Sequence, residues 1–417
     1  MPPVPSLAPA GLLQRYRRIR RHTLELCATL SAEDMMVQSM PDASPAKWHL
    51  AHTTWFFEQF VLGRDASYRP REPAWHYLFN SYYQSVGPMH ARPQRGLLSR
   101  PALAEVHAYR QYVDEAVSEA LFRDDGGSLT ALVELGLQHE QQHQELLLTD
   151  IKHAFWCNPL QPAYAPGPST TAAAPGLLLH YIDGAAGIVA IGHEGAGFAF
   201  DNETPRHRSL LQPHALANRL VSNGEYAAFV RDGGYREPSL WLSDGWALVQ
   251  REGWQRPLYW QPDLASEFTL AGVRAIDVDA PACHLSYFEA DAFARWAGAR
   301  LPTEAEWEAA ATDAAPVGNL LDETPRLPAV ARGAGLQQLF GDAWEWTASP
   351  YISYPGFRPL PGSLGEYNGK FMNGQWVLRG GSCATPRDHI RASYRNFFPP
   401  HARWQFAGLR LACDRQA

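Results

Sequence analysis

Apolar side chains recur at helical spacing near the start of the chain, at Leu12, Tyr16, Ile19, Leu26 and Leu30, behind a proline-rich opening. That period marks one buried helix face. Ser44-Pro45 follows, a capping serine with proline at the first helical position, and predicts a second helix running to about Gly63. This helix would set Trp48, His52, Trp55 and Gln59 on one face. A third helix is expected to open near Pro101, and a fourth after Asp124-Asp-Gly-Gly127 with Ser128 as its cap. The inward stripe of the fourth reads Leu132, Leu135, His139, His143, Leu146 and Asp150. Four such helices predict an antiparallel bundle whose core can hold a metal.

The texture changes after residue 156. Residues 157–176 are rich in Pro, Ala and Gly, carry no charge and read as a linker. Beyond them come short β-like stretches, turns and isolated short helices such as 222–232 and 286–298. The expected fold is α+β: a helical domain over 1–156, the linker, and a second domain over 177–417 with little regular secondary structure. A chain of 417 residues has room for two cores. There is no internal repeat.

Composition narrows the function classes. A net charge of −7 gives no reason to expect nucleic acid as a partner. The run Arg15, Arg17, Arg18, Arg20 and Arg21 reads as the solvated side of the first helix. Cys27, Cys157, Cys283, Cys383 and Cys413 are scattered without CxxC pairing, which fits a reducing compartment. No stretch approaches 18 apolar residues and the N-terminus lacks a signal-type apolar core, so no membrane association is expected and a cytoplasmic location is.

His139 and His143 carry the first chemical signal. Residues four apart on a helix stand roughly 6 Å apart on one face, so the two imidazoles can share one metal, and His52 on a facing helix can supply a third. His49 is expected off that face and outside the ligand set. Glu140 and Glu145 are expected to support the site or face solvent. Neutral imidazoles suit iron(II), zinc or copper. The residues alone leave a second reading open, in which these are packed core histidines.

The C-terminal half carries Leu301-Pro-Thr-Glu-Ala-Glu-Trp-Glu308, Gly341-Asp-Ala-Trp-Glu-Trp-Thr347, Val377-Leu-Arg-Gly-Gly-Ser382 and Phe406-Ala-Gly-Leu-Arg-Leu411. Over roughly 180–415 it resembles the formylglycine-generating-enzyme domain, a variant of the C-type lectin fold. The N-terminal half is similar to the DinB-like helical bundle, with Trp48-His-Leu-Ala-His52 and His139-Glu-Gln-Gln-His143 at the metal motifs. The combination resembles ergothioneine sulfoxide synthases of the EgtB type. That resemblance implies an enzyme using iron(II) and O2 to join a thiol to the imidazole C2 of hercynine, the trimethylbetaine of histidine, as a sulfoxide.

By the same resemblance, His52, His139 and His143 would hold the iron. Gln142 and Asn396 would hydrogen-bond hercynine, and Phe397 would wall its trimethylammonium, which would put the substrate between the two domains. Tyr82 and Tyr83, in Phe79-Asn-Ser-Tyr-Tyr-Gln-Ser-Val-Gly-Pro88, would be the acid pair. Arg92 and Arg95 would clamp the carboxylate of the sulfur donor. One branch of the family has Trp-Asp after the substrate asparagine and uses γ-glutamylcysteine. Phe397-Phe398 stands there in this chain, and the loss of the acid favours free cysteine.

Other functions stay open. The donor could be γ-glutamylcysteine, or the chain could be a related selenoneine- or ovothiol-type carbon–chalcogen synthase. A copper-dependent formylglycine-generating oxidase needs two closely spaced cysteines after Arg-Gly-Gly-Ser, and here Cys383 has no successor before Cys413. A non-catalytic lectin-like binding module would show neither stoichiometric iron nor O2 consumption.

Overall fold

The computed structural model describes residues 9–124, 127–167, 176–322 and 327–416. They form an α+β chain of two compact units. The first takes in the chain up to Leu160 together with Gly195–Phe198 and Leu360–Tyr367. The second holds Gln161–Glu194, Ala199–Pro359 and the chain from Asn368 onward. Of the expected linker 157–176, residues 168–175 lie outside the described residues.

The first unit is built from α1 (Pro9–Cys27), α2 (Ala46–Phe60), α3 (Trp75–Phe79), α4 (Leu103–Arg123) and α5 (Thr130–Cys157). α5 packs on both α1 and α2, and α2 packs on α4 as well. The single inward stripe expected for α5 is therefore too narrow. Gln138, Glu140, Gln141 and Gln144 are buried, while Leu132 and Leu146 are only half-buried. Polar groups so placed need partners: Gln144 Nε2 donates to Ile19 O and Thr23 Oγ1, each at 3.0 Å. Gly136 brings α2 and α5 close, since a Cβ there would lie 2.5 Å from the Phe57 ring.

Several local expectations are corrected. α1 ends at Cys27, short of Leu30. Ser44 does not cap α2. Pro45 precedes the helix in extended conformation, and Ser44 Oγ is occupied by Arg95 Nη1 at 2.9 Å. Ser128 does not cap α5 either. The Asp124 carboxylate accepts from the N–H groups of Ser128 at 2.9 Å and Leu129 at 2.7 Å. Arg20 is not solvated; it is buried and donates to Asp114 at 2.7 Å, Glu140 at 2.8 Å and Thr54 at 3.0 Å. Arg17, Arg18 and Arg21 are exposed as expected.

The second unit has short sheets. β1 (Tyr181–Asp183), β4 (His214–Ala217) and β11 (Ala412–Asp414) form an antiparallel set centred on β4. β10 (Ala407–Gly408), β7 (Trp344–Pro350), β8 (Trp376–Arg379) and β9 (Asn396–Phe398) form a second sheet in that order. β2 (Gly187–Ile191) pairs with β3 (His207–Leu211), and β5 (Ser266–Thr269) with β6 (Gly272–Ala275). The helices are α6 (Asn223–Arg231), α7 (Ser243–Glu252), α8 (Tyr287–Trp296) and α9 (Glu304–Ala311). α6, α8 and α9 each open on a capping box, Ser222/Glu225, Ser286/Glu289 and Thr303/Glu306. The two short helices expected over 222–232 and 286–298 are α6 and α8.

The C-terminal motifs prove to be buried ion pairs. Arg379 donates to Glu304 at 3.0 Å and Glu308 at 2.9 Å. Arg410 forks onto Glu345 at 2.8 and 3.0 Å, with both residues fully buried. Breaking such a pair costs about 3–5 kcal/mol, so these motif positions hold the fold together.

Candidate metal centre

His52 on α2 meets His139 and His143 on α5, with one ligand nitrogen of each inside a 4.8 Å span. His52 Nε2 lies 3.3 Å from His139 Nε2. Two nitrogens each about 2.1 Å from one metal stand about 3.0–3.4 Å apart, so the spacing fits shared coordination. His52 Nδ1 donates to Phe79 O at 2.6 Å, which turns its Nε2 lone pair toward His139.

Burial holds all three imidazoles neutral. It pushes His52 well below the usual histidine range, with His139 adding to the shift. It pushes His139 down to about 3 and His143 well down, His139 again contributing to the latter. Neutral imidazoles present lone pairs, the form a metal requires. Glu140 points elsewhere: burial would raise its pKa, but Arg110 and Arg20 outweigh that and hold it at about 2. It accepts from Thr23 Oγ1 at 2.6 Å and pairs with Arg20 and Arg110. The grouped metal-binding set thus contains imidazoles only, among the described residues.

Aromatic rings enclose the cluster. Trp48 stacks on His52 at 4.5 Å and 11°, and Phe56 lies 4.5 Å from the His139 ring. Over the Trp48 ring, at 3.4 Å, sits the guanidinium of Arg95. Arg95 is 3 % exposed and donates to Ser44 Oγ at 2.9 Å and Ser81 Oγ at 3.0 Å, while its Nε has no hydrogen-bond partner. Burial, with Arg92 nearby, pushes it down to about 8. Its hydrogen bonds run to neutral hydroxyls, while the nearby Asp150 carboxylate favours its charged form against the burial. Arg92 is exposed and its guanidinium donates to the backbone oxygen of Asp42.

Tyr82 and Tyr83 lie on a loop anchored by Asn80, which donates from Nδ2 to the carbonyls of Tyr83 and Gly87 at 3.1 Å. Tyr83 is fully buried against Trp55 and Phe60, and its hydroxyl has no partner of hydrogen-bond geometry. Tyr82 is half-buried, its ring 4.6 Å from that of Tyr83. Burial raises both phenols well above 10, so both keep their protons.

Two features of this centre were not expected from the sequence. His49 is drawn in: its Nδ1 lies 2.8 Å from His143 Nδ1 and its Nε2 3.1 Å from Asp150 Oδ2. The close approach of α2 and α5 at Gly136 lets two residues three apart on α2 both reach α5. The spacing could have shown it, because Asp150 follows His143 by two helical turns on the same face. The other is Tyr367, whose ring lies 5.6 Å from His139 and 5.9 Å from Tyr82. It arrives on Leu360–Tyr367, tied down by Glu366, which accepts from the N–H groups of Gln84 and Ser85 at 2.9 Å. No periodicity marks that segment.

The structure thus gathers His52, His139, His143, Tyr82, Tyr83 and Arg95 around one aromatic cage in the first unit. Gln142 is half-buried on α5 beside His143. Asn396, Phe397 and Phe398 form β9 in the second unit. There Asn396 Oδ1 accepts from Phe397 N at 2.9 Å, Phe397 stacks on Tyr351 at 4.1 Å, and Phe398 meets Trp404 edge-on. Among the described residues no helix is long and apolar enough to cross a membrane.

Residues 181–329 and 315–415 match the family described as sulfatase-modifying factor enzyme 1-like domain. A protein of Mycolicibacterium thermoresistibile named hercynine oxygenase is 34% identical, over 97% of this chain and 95% of its own. One of the same name from Mycobacterium tuberculosis is 34% identical, over 98% of this chain and 99% of its own. Ergothioneine biosynthesis protein 1 of Schizosaccharomyces pombe is 29% identical over 51% of this chain and 27% of its own.

Proposed function

The chain belongs to the hercynine oxygenase family, and on that premise we propose that it is an iron(II)- and O2-dependent sulfoxide synthase acting on hercynine and a thiol. The sulfur of free cysteine is joined to the imidazole C2, giving hercynylcysteine sulfoxide. The balance is one thiol S–H, one C2–H and one O2 in, and one sulfoxide and one water out. Carrying the reading is the ligand set: three buried, neutral imidazoles with no carboxylate among them. Iron(II) bound there would keep its full 2+ charge and so favour an anionic thiolate, and it would activate O2 beside the sulfur.

The chain's own residues have distinct tasks in this reading. Arg95 takes the donor's carboxylate through its unpaired Nε and forked Nη atoms, which orients the sulfur. Gln142 hydrogen-bonds hercynine. Tyr82 and Tyr83, held protonated by burial, stand ready to supply a proton to the oxygen atom that leaves as water. Phe397-Phe398, which puts no acid after Asn396, supports free cysteine over γ-glutamylcysteine. His139→Ala is expected to lose both iron retention and turnover. Full activity with stoichiometric iron in that variant would remove the metal assignment.

A further inference from the structure

Behind the proposed metal site runs a second line of hydrogen bonds that assigns a role to two residues outside the ligand set. The Asp150 carboxylate is fixed by the backbone N–H of Ser44, which it accepts at 2.7 Å through Oδ2. The same oxygen faces His49 Nε2 at 3.1 Å, and His49 Nδ1 faces His143 Nδ1 at 2.8 Å. All three side chains are buried, His49 at 2 %, Asp150 at 6 % and His143 at 8 % exposure. A carboxylate only accepts, so a neutral His49, with one proton to place, carries it on Nε2. Its Nδ1 is then a bare lone pair, and the hydrogen bond to His143 can form only if His143 carries its own proton on Nδ1. That leaves Nε2 of His143 as the nitrogen with a free lone pair. One carboxylate thereby sets the tautomer of two imidazoles in series.

We propose that Asp150 and His49 are positioning residues that hold His143 in its metal-ligating tautomer and ring orientation, a carboxylate–histidine–histidine relay to the metal. His52 obtains the same service more simply, from the Phe79 carbonyl. His139 has no such support, since its Nδ1 is buried without a partner. Of the two α5 ligands, only His143 is thus held from outside the cluster. The relay also touches Arg95, because Ser44 gives its N–H to Asp150 and its hydroxyl oxygen to Arg95. Outer partners of this kind are worth about 10–100-fold in metal affinity. The inference rests on the metal reading of the histidine cluster.

The test uses cobalt(II) as a spectroscopic probe on the full-length, metal-free chain, with no substrate and no turnover. His49→Phe keeps a ring in place and removes both hydrogen bonds. Asp150→Asn keeps one oxygen for Ser44 and His49 and replaces the other, with the charge, by an amide NH2. Cobalt affinity is expected to fall by about 10–100-fold in His49→Phe and by less in Asp150→Asn. The ligand-field bands should shift in both, and calorimetry of the metal-free forms checks that folding is intact. Parent-like affinity and bands in two folded variants would overturn the relay. If His49→Phe fails to fold, Asp150→Asn decides alone by the same criteria. His139→Ala runs alongside: cobalt binding in the parent that is lost in this variant upholds the metal site whatever becomes of the relay. No cobalt binding in the parent would overturn both.

Discussion

Arg95 is buried with two serine hydroxyls and an indole face as its partners, and in the proposed function it takes the donor's carboxylate. A hydrogen bond to a charged group contributes about 1.5–3 kcal/mol. Arg95→Leu is therefore expected to lower kcat/KM for the thiol donor by roughly 10–150-fold, mostly through KM, without loss of stability in denaturant titration. An unchanged KM would remove Arg95 from the substrate site. The histidines make a second prediction at this scale. His139 titrates near 3 in the fold, whereas a free imidazole titrates near about 6.5. Between those values the unfolded chain binds the proton and the folded chain does not. Stability of the metal-free protein is thus full above about pH 6.5 and falls as pH drops toward about 3, by about 2 kcal/mol per imidazole so shifted at pH 5. His52 and His143 shift the same way. Tm should decline steadily from pH 7 to pH 5, with a shallower slope in His139→Gln. A flat profile contradicts a neutral cluster.

Among the elements, the helices were the most legible. Apolar period located α1 and the inward face of α5, proline and turn signals located the starts of α2, α4 and α5, and the i, i+4 pair on α5 pointed at the histidine cluster. Reading one face per helix was where the pattern misled. α5 is flanked by α1 and α2, so Gln138, Gln141, Gln144 and Glu140 are buried too, with Gln138, Gln144 and Glu140 held by protein partners. The same packing drew in His49, expected off the Trp48–Trp55 face, and Arg20, read as solvated with the rest of its basic run. In the second unit the motif residues were visible, but their pairing was not, because Arg379–Glu304 and Arg410–Glu345 join positions far apart in sequence. Segment 360–367 shows the opposite limit. Its hold on the Tyr82–Tyr83 loop runs from the Glu366 carboxylate to two backbone N–H groups and the Ser85 hydroxyl, with Ser363 Oγ also 2.8 Å from Ser85 Oγ, which leaves no periodic trace. Glu366→Ala should release that loop: amide exchange at Gln84 and Ser85 should rise at least about tenfold, in proportion to about 1.5 kcal/mol or more of lost hydrogen bonding. Unaltered exchange would show that the segment is held by other contacts.

For the molecule as a whole, family membership and a three-imidazole centre bear on one activity, and that activity can be asked for directly. Anaerobic protein is loaded with iron(II), then exposed to O2 with hercynine and either cysteine or γ-glutamylcysteine, and the products are read by mass spectrometry. The account predicts a hercynine–cysteine sulfoxide from free cysteine, with one oxygen atom of O2 in the product. A coupled product from γ-glutamylcysteine alone would keep the chemistry and overturn the donor assigned from Phe397-Phe398. No coupled product from either donor, with iron bound, would contradict the proposed function.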